Sequence, residues 1–120
     1  MYQLKIKSHF DAAHLLKGYP GKCANLHGHT WKYMLTLTGV DLDSLGMLVD
    51  FSVIKAIMKT EVEDLFDHAY LNDKLVSNPT AENIAHEIYS RVNYLILGLN
   101  LTLSSVEVWE SENCSAIYKP

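Results

Sequence analysis

Cysteine is scarce in this chain: Cys23 and Cys114 are the only two among 120 residues. Two thiols without an export signal are poor evidence for a disulfide, so both are expected to be free in a reducing cytoplasm. Long apolar runs are also missing. None approaches the roughly 18 residues of a membrane span. The N-terminal Met1-Tyr2-Gln3-Leu4-Lys5-Ile6-Lys7 alternates polar and apolar residues, unlike the unbroken apolar stretch of a signal peptide. Basic clusters are lacking as well. With 10 Lys+Arg against 14 Asp+Glu and a net charge of -4, the chain carries no nucleic-acid footprint. Internal repeats, low-complexity tracts and Pro/Gly/Ser linkers are absent, so residues 1–120 read as a single domain. An apolar fraction of 48% and a charged fraction of 20% are those of an ordinary soluble domain. A chain of this size builds a core without needing a disulfide or a structural metal to fold.

What is present is a clear change of period along the chain. Tyr2, Leu4, Ile6, Phe10, Ala12 and His14 share one face of an alternating segment, interrupted by Ser8. Gln3, Lys5, Lys7, His9 and Asp11 share the other, the pattern of a half-buried strand over residues 2–14. A second strand is expected over 27–38, with His27, His29, Trp31, Tyr33, Leu35 and Leu37 on one face. Gly18, Pro20 and Gly21 supply turn residues between the two, which should pair antiparallel. From Asp50, a good N-cap, the apolar residues Phe51, Ile54, Met58, Val62 and Leu65 recur at helical steps. A second helix is expected from Asn78-Pro79-Thr80-Ala81-Glu82, with Pro79 in or near its first turn, to about 97, ended by Gly98. Alternation returns over 101–110, with Val106, Val108 and Glu110 on one face, and a short last strand fits 115–119. The order is ββααββ: an α+β fold whose antiparallel sheet carries two helices on one face.

This alternation gives three histidines a shared direction. His27 and His29 lie two apart on a strand, so both rings leave its apolar face, and His14 continues the apolar face of its own strand. With residue 14 opposite 27–29, and residue 2 therefore near 40, three imidazoles converge. Three neutral imidazoles with an open position are a standard arrangement for catalytic zinc, where the ion acts as a Lewis acid or acidifies a bound hydroxyl or water; the alternative is three separately satisfied histidines at the sheet edge. His9 points to the opposite face and His86 falls among ordinary helical residues, so both read as structural or surface histidines.

Other residues admit more than one reading. Cys23 lies in the loop whose ends carry the zinc ligands. It is either a base or nucleophile beside the metal or a fourth ligand closing a structural Cys-His₃ site. Cys114 reads as incidental. Asp67 beside His68 could orient the ring, although neighbours in sequence need not touch. Glu110 continues an apolar strand face, where a carboxylate needs a partner; a planar aminopyrimidinone edge would suit it through paired hydrogen bonds. Glu82 near a helix start also fits a dipole-complementing role.

With these residues in hand, the chain resembles the 6-pyruvoyltetrahydropterin synthase superfamily along essentially its whole length. The resemblance is carried by Phe10-Asp11-Ala12-Ala13-His14, Cys23-Ala24-Asn25-Leu26-His27-Gly28-His29, Val49-Asp50-Phe51, Leu65-Phe66-Asp67-His68-Ala69-Tyr70-Leu71-Asn72, Asn78-Pro79-Thr80-Ala81-Glu82-Asn83 and Val106-Glu107-Val108-Trp109-Glu110-Ser111. The Cys-x3-His-Gly-His spacing looks like that of the bacterial 6-carboxytetrahydropterin synthases of the queuosine pathway, whereas animal pyruvoyl enzymes typically have Cys-x5-His-Gly-His. Folate-pathway relatives carry a Glu in this loop where Ala24 stands. Ser111 follows the strand-end Glu where Thr is common.

The resemblance implies a tunnelling fold in which trimers close four-stranded sheets into a barrel and pair into a cytoplasmic homo-hexamer, with active sites at subunit interfaces. It implies 7,8-dihydroneopterin triphosphate as substrate and 6-carboxy-5,6,7,8-tetrahydropterin, acetaldehyde and triphosphate as products. His14, His27 and His29 would hold zinc, Cys23 would be the general base, and Asp67 with His68 a proton relay. Glu110, helped by Thr80 and Glu82, would grip the pterin. Two rivals remain: a pyruvoyl synthase that keeps the side chain intact, and a zinc- or pterin-binding protein without turnover.

Overall fold

The computed structural model describes residues 1–120. Strands β1 (Tyr2–His14) and β2 (His27–Gly39) pair antiparallel over their whole length, from Tyr2 opposite Gly39 to His14 opposite His27. This register keeps the two apolar faces on the same side, whereas a slip of one residue would turn one of them to solvent. It sets Ile6 against Leu35, Phe10 against Trp31 and Ala12 against His29, all on one face. Gln3, Lys5, Lys7, His9 and Asp11 are exposed on the other.

The first helical run comprises α1 (Phe51–Met58), a π-helical segment (Lys59–Glu63) and α2 (Asp64–Phe66). Asp50 caps it, its Oδ1 accepting from the Ser52 N–H at 2.8 Å. After a two-residue strand, β3 (Ala69–Tyr70), comes the long helix α3 (Ala81–Gly98). Strands β4 (Thr102–Ser111) and β5 (Cys114–Tyr118) complete the chain. The sheet order is β3-β1-β2-β4-β5. The sheet therefore has five strands where four were expected: β3 pairs parallel to the end of β1, with Ala12 opposite Ala69.

Two helix ends differ from expectation. Thr80 is the N-cap of α3, its hydroxyl accepting from the Asn83 N–H at 3.2 Å, so Pro79 precedes the helix. Gly98 is the last helical residue rather than the stop. The left-handed position falls on Asn100, φ 61, a conformation that a short polar side chain tolerates.

Both helices cover the same sheet face. Ile54, Met58, Val62 and Phe66 from the first run, and Ile84, Ile88, Val92 and Ile96 from α3, join the sheet's inner residues in one core. Phe10 is its aromatic hub, with the Phe66 ring at 5.5 Å and the Tyr33 ring at 5.9 Å. Ser8, which interrupts the apolar face of β1, is accounted for by Glu63 on the π segment. The Glu63 carboxylate accepts from the Ser8 hydroxyl and from the Tyr33 hydroxyl, the latter at 3.1 Å. Burial, and then the nearby Glu63 charge, push the Tyr33 phenol far above its ordinary pKa. No helix is long and apolar enough to cross a membrane.

Candidate metal centre and active site

The register that buries the core also assembles the histidines. His14 ends β1 directly opposite His27, and His29 faces Ala12 one step further along. The three ring centroids lie 4.5–5.1 Å apart, and Trp31 forms the floor, edge-on to His14 at 4.8 Å and to His29 at 5.3 Å. Glu110, near the end of β4, brings its Oε1 to 3.0 Å from His29 Nε2 and 3.7 Å from His14 Nε2. One ligand atom from each of these four residues lies within 4.8 Å of every other, a grouping able to hold a metal ion.

The hydrogen bonds behind the rings show why an ion fits. His14 Nδ1 donates to the Pro79 carbonyl at 2.8 Å, and His27 Nδ1 to the Asn25 carbonyl at 2.6 Å. Each ring is thereby fixed in the tautomer with a lone pair on Nε2. The two Nε2 atoms then face each other at 2.9 Å. Two lone pairs at that distance repel unless a cation or proton lies between them. His29 Nε2 is buried without a well-formed hydrogen bond, although Glu110 is near. Three imidazole nitrogens and a carboxylate are ordinary donors for a borderline ion such as zinc. Burial lowers the pKa of His14 and of His29, against the opposing pull of the Pro79 carbonyl on His14 and of Glu110 on both. Burial thereby favours the neutral form of His14 and His29, the form that ligates.

The carbonyls of Pro79 and Asn25 are functional groups that the sequence reading missed. Backbone oxygens leave no residue-type signal; the one available clue was the position of Asn78-Pro79 beside the expected Thr80–Glu82 turn.

The remaining expected site residues are placed less tightly. Cys23 sits in a short turn (Lys22–Ala24), half-buried and free, and its thiol does not join the four-atom group. The closed Cys-His₃ reading therefore lacks geometric support. Asp67 and His68 do touch, Oδ2 to Nδ1 at 2.9 Å. They sit on the side of β1 away from β2. Asp67 Oδ1 accepts from the Asp11 N–H at 3.0 Å, and the His68 N–H donates to the Asp11 carbonyl at 2.6 Å. The Asp11 N–H, then His68, hold the Asp67 carboxyl below its usual pKa. His68 adopts a left-handed φ of 58° and is 80% exposed, a costly backbone conformation on an unprotected ring. The Thr80 hydroxyl is engaged in capping α3, and Glu82 is exposed in its first turn. His9 is exposed on the outer face, and His86 packs edge-on to Tyr118 at 4.7 Å. The largest hollow of the chain, about 450 Å³, lies at the far end of β1 between Tyr2, Leu4, Met47 and Phe51.

Similarity to known proteins runs along nearly the whole chain. The family model described as 6-pyruvoyl tetrahydropterin synthase matches residues 3–120. A 6-carboxy-5,6,7,8-tetrahydropterin synthase of Haemophilus influenzae is 35% identical over 144 aligned positions, covering 99% of each chain. One from Synechocystis is 38% identical over 115 positions, covering 91% of this chain and 86% of its own. Among solved structures, the 6-pyruvoyl tetrahydropterin synthase of Caenorhabditis elegans superposes with a TM-score of 0.85 at 24% identity, covering 99% of this chain and 95% of its own. At that identity the likeness bears on the fold.

Proposed function

The chain belongs to the 6-pyruvoyl tetrahydropterin synthase family, and from that premise we propose that it converts 7,8-dihydroneopterin triphosphate and water to 6-carboxy-5,6,7,8-tetrahydropterin, acetaldehyde and triphosphate. The relatives named for the carboxy product support this over the pyruvoyl alternative. The observation that carries the reading is the convergence of His14, His27, His29 and Glu110 on one point.

In this proposal His14, His27 and His29 hold zinc. When bound, the ion supplies Lewis acidity toward the hydroxyls of the substrate side chain. Cys23 removes a proton from the side-chain carbon, and His68, oriented by Asp67, handles the return transfer. Glu110 accepts hydrogen bonds from the N–H edge of the pterin, a bidentate pairing that suits a carboxylate. Thr80 and Glu82 line the same approach from the turn that orients His14.

The exposure of Asp67 and His68 supports a site completed between chains. In a single chain they flank the sheet edge beyond β1, while Cys23 belongs to the loop joining β1 to β2. Beyond Ala12 and Ala13, the outer edge of β1 has no strand partner, and β5 is open on its far side. Unpaired edges invite strands from other copies, in keeping with barrel-closing trimers and a homo-hexamer. We assign the enzyme to the reducing cytoplasm, where Cys23 stays a thiol.

The test is mass spectrometry of products after incubating zinc-loaded protein with the triphosphate substrate. Acetaldehyde and the 6-carboxy product are expected. Pyruvoyltetrahydropterin with no acetaldehyde would reassign the reaction, and pterin binding without turnover would reduce the chain to a binding protein.

A further inference from the structure

The loop that carries Cys23 has little apolar anchorage. Lys17 to Lys22, Asn25 and Leu26 are exposed, and Cys23 and Ala24 are only half-buried. Its position must therefore come from hydrogen bonds, and two asparagines supply an unusual set. Asn72 Oδ1 accepts from the Leu15 N–H at 3.0 Å while its Nδ2 donates to the Leu15 carbonyl at 2.9 Å. Asn78 repeats the arrangement two residues on, accepting from the Lys17 N–H at 3.1 Å and donating to the Lys17 carbonyl at 2.9 Å. Each carboxamide thus stands where the peptide group of a partner strand would stand, satisfying both polar groups of one residue.

Leu16, between the two clasped residues, turns its polar groups the other way. Its N–H donates to the Cys23 carbonyl at 2.7 Å. This is the edge-to-edge alternation of an extended chain: residues 15 and 17 are held from one side, and residue 16 holds Cys23 on the other. Both clasps are referenced to the core. Leu71, next to Asn72, is fully buried, and Pro79, next to Asn78, is buried and accepts the His14 hydrogen bond. The Asn78 carbonyl in turn accepts from Asn83 Nδ2 at 2.8 Å.

We propose that Asn72 and Asn78 are positioning residues for the Cys23 step: their carboxamides clasp residues 15 and 17 and thereby set where the thiol stands relative to the His14 end of the metal cluster. This rests on the reading of Cys23 as general base. Asparagine is required because the clasp needs a donor and an acceptor at peptide spacing. Aspartate keeps the size but loses the donor, setting an anionic oxygen against a carbonyl.

The test compares N72D and N78D, each as the full metal-loaded chain, with the parent. Four quantities are read: kcat, KM, metal content, and the rate of Cys23 alkylation by iodoacetamide, with Cys114 in the same molecule as internal reference. Expected are unchanged metal content, an unfolding temperature lower by no more than about 5 °C because the clasp loses a donor, and KM within about twofold. The kcat should be about ten- to a hundredfold lower, since small displacements of a reacting group cost rate rather than binding. The ratio of Cys23 to Cys114 alkylation should change in both variants. Parental kcat and alkylation ratio would overturn the proposal. So would loss of activity that tracks loss of metal or of folded protein in both variants, which would make the clasps purely structural. Full turnover by Cys23→Ala would instead sink the base assignment, while the alkylation ratio would still report on the clasp.

Discussion

His14 Nε2 and His27 Nε2 face each other at 2.9 Å, each with its Nδ1 proton committed to a backbone carbonyl. Both Nε2 lone pairs are thereby aimed into the group of four donors, where a divalent cation would be held. Zinc should stabilise the fold by about 2.7 kcal/mol at a free concentration a hundred times its Kd, seen as a higher unfolding temperature that chelator reverses. His27→Ala and His29→Ala should abolish both the shift and the bound metal measured by elemental analysis. Identical melting with zinc and with chelator would remove the basis of the metal centre.

Acid should weaken the same site, and the sign follows from burial. His14 and His29 have folded pKa values below the ordinary 6.5, because burial disfavours their charged forms. In acid the unfolded chain takes up protons first, so stability rises with pH across this range. The contribution is fully present above about pH 6.5, shrinks as the unfolded rings protonate, and is lost below the folded values. Metal binding adds dependence of the same sign, since only deprotonated imidazole ligates. Melting temperature in chelator should fall on acidification below about pH 6.5, and more steeply with zinc present. His14→Gln should flatten the chelator curve. A curve that rises toward acid, or a His14→Gln curve as steep as the parent's, would contradict this account.

The Glu63 carboxylate joins Ser8 and Tyr33 across the sheet–helix boundary. Tyr33 is fully buried, and its other partner, the Met58 carbonyl, is 3.5 Å away. Glu63→Ala strands two hydroxyls and should cost about 2–3 kcal/mol in urea unfolding, near the upper end for a buried unsatisfied group. Tyr33→Phe removes one partner and should cost about 1 kcal/mol. If Glu63→Ala were the milder change, the network would not be holding the π segment to β1.

The strands were legible almost to the residue because a period of two fixes which side chains share the buried face. His14 beside His27 and His29 followed from that face, and with it the convergence of the three imidazoles. The first helix was legible only in outline. Its buried residues Ile54, Met58, Val62 and Phe66 are each four apart. Four residues overshoot an α-helical turn of 3.6 by about 40°, so three such steps would carry Phe66 far off the core face. The π segment widens the turn and returns Val62 and Phe66 to it. Helical spacing alone does not reveal that insertion. β3 is two residues long, too short to show any period, and the contact of Asp67 with His68 depends on the left-handed turn at His68. The orienting carbonyls of Pro79 and Asn25 belong to the backbone and were invisible for that reason.

Thr80 has a structural duty that separates from any role toward substrate. Its hydroxyl caps α3 through the Asn83 N–H. Thr80→Ala should destabilise the fold by about 1 kcal/mol, the usual cost of a lost cap, while Thr80→Ser keeps the cap and the stability. If Thr80 also lines the pterin approach, Thr80→Ala should raise KM beyond the effect of Thr80→Ser, measured by steady-state kinetics at a temperature where both variants are folded. Equal KM values for the two would confine Thr80 to capping.

Asp67 and His68 are 43% and 80% exposed in the single chain, while Cys23 lies in the β1–β2 loop. If the active site takes Cys23 from one chain and His68 from a neighbour, two inactive variants should complement each other. Cys23→Ala and His68→Ala should each lose at least about a hundredfold in kcat, the scale of general acid–base catalysis. Unfolded together at equal amounts and refolded, they should form mixed oligomers in which about a quarter of the sites draw both groups from intact positions. Activity should therefore return to about a quarter of the parent's, whereas each variant refolded alone stays inactive. A site built within one chain gives no recovery, because every copy then lacks either Cys23 or His68. Recovery near a quarter would separate the shared site from the self-contained one without a structure of the assembly, since only exchange of whole chains between oligomers can reunite the two groups.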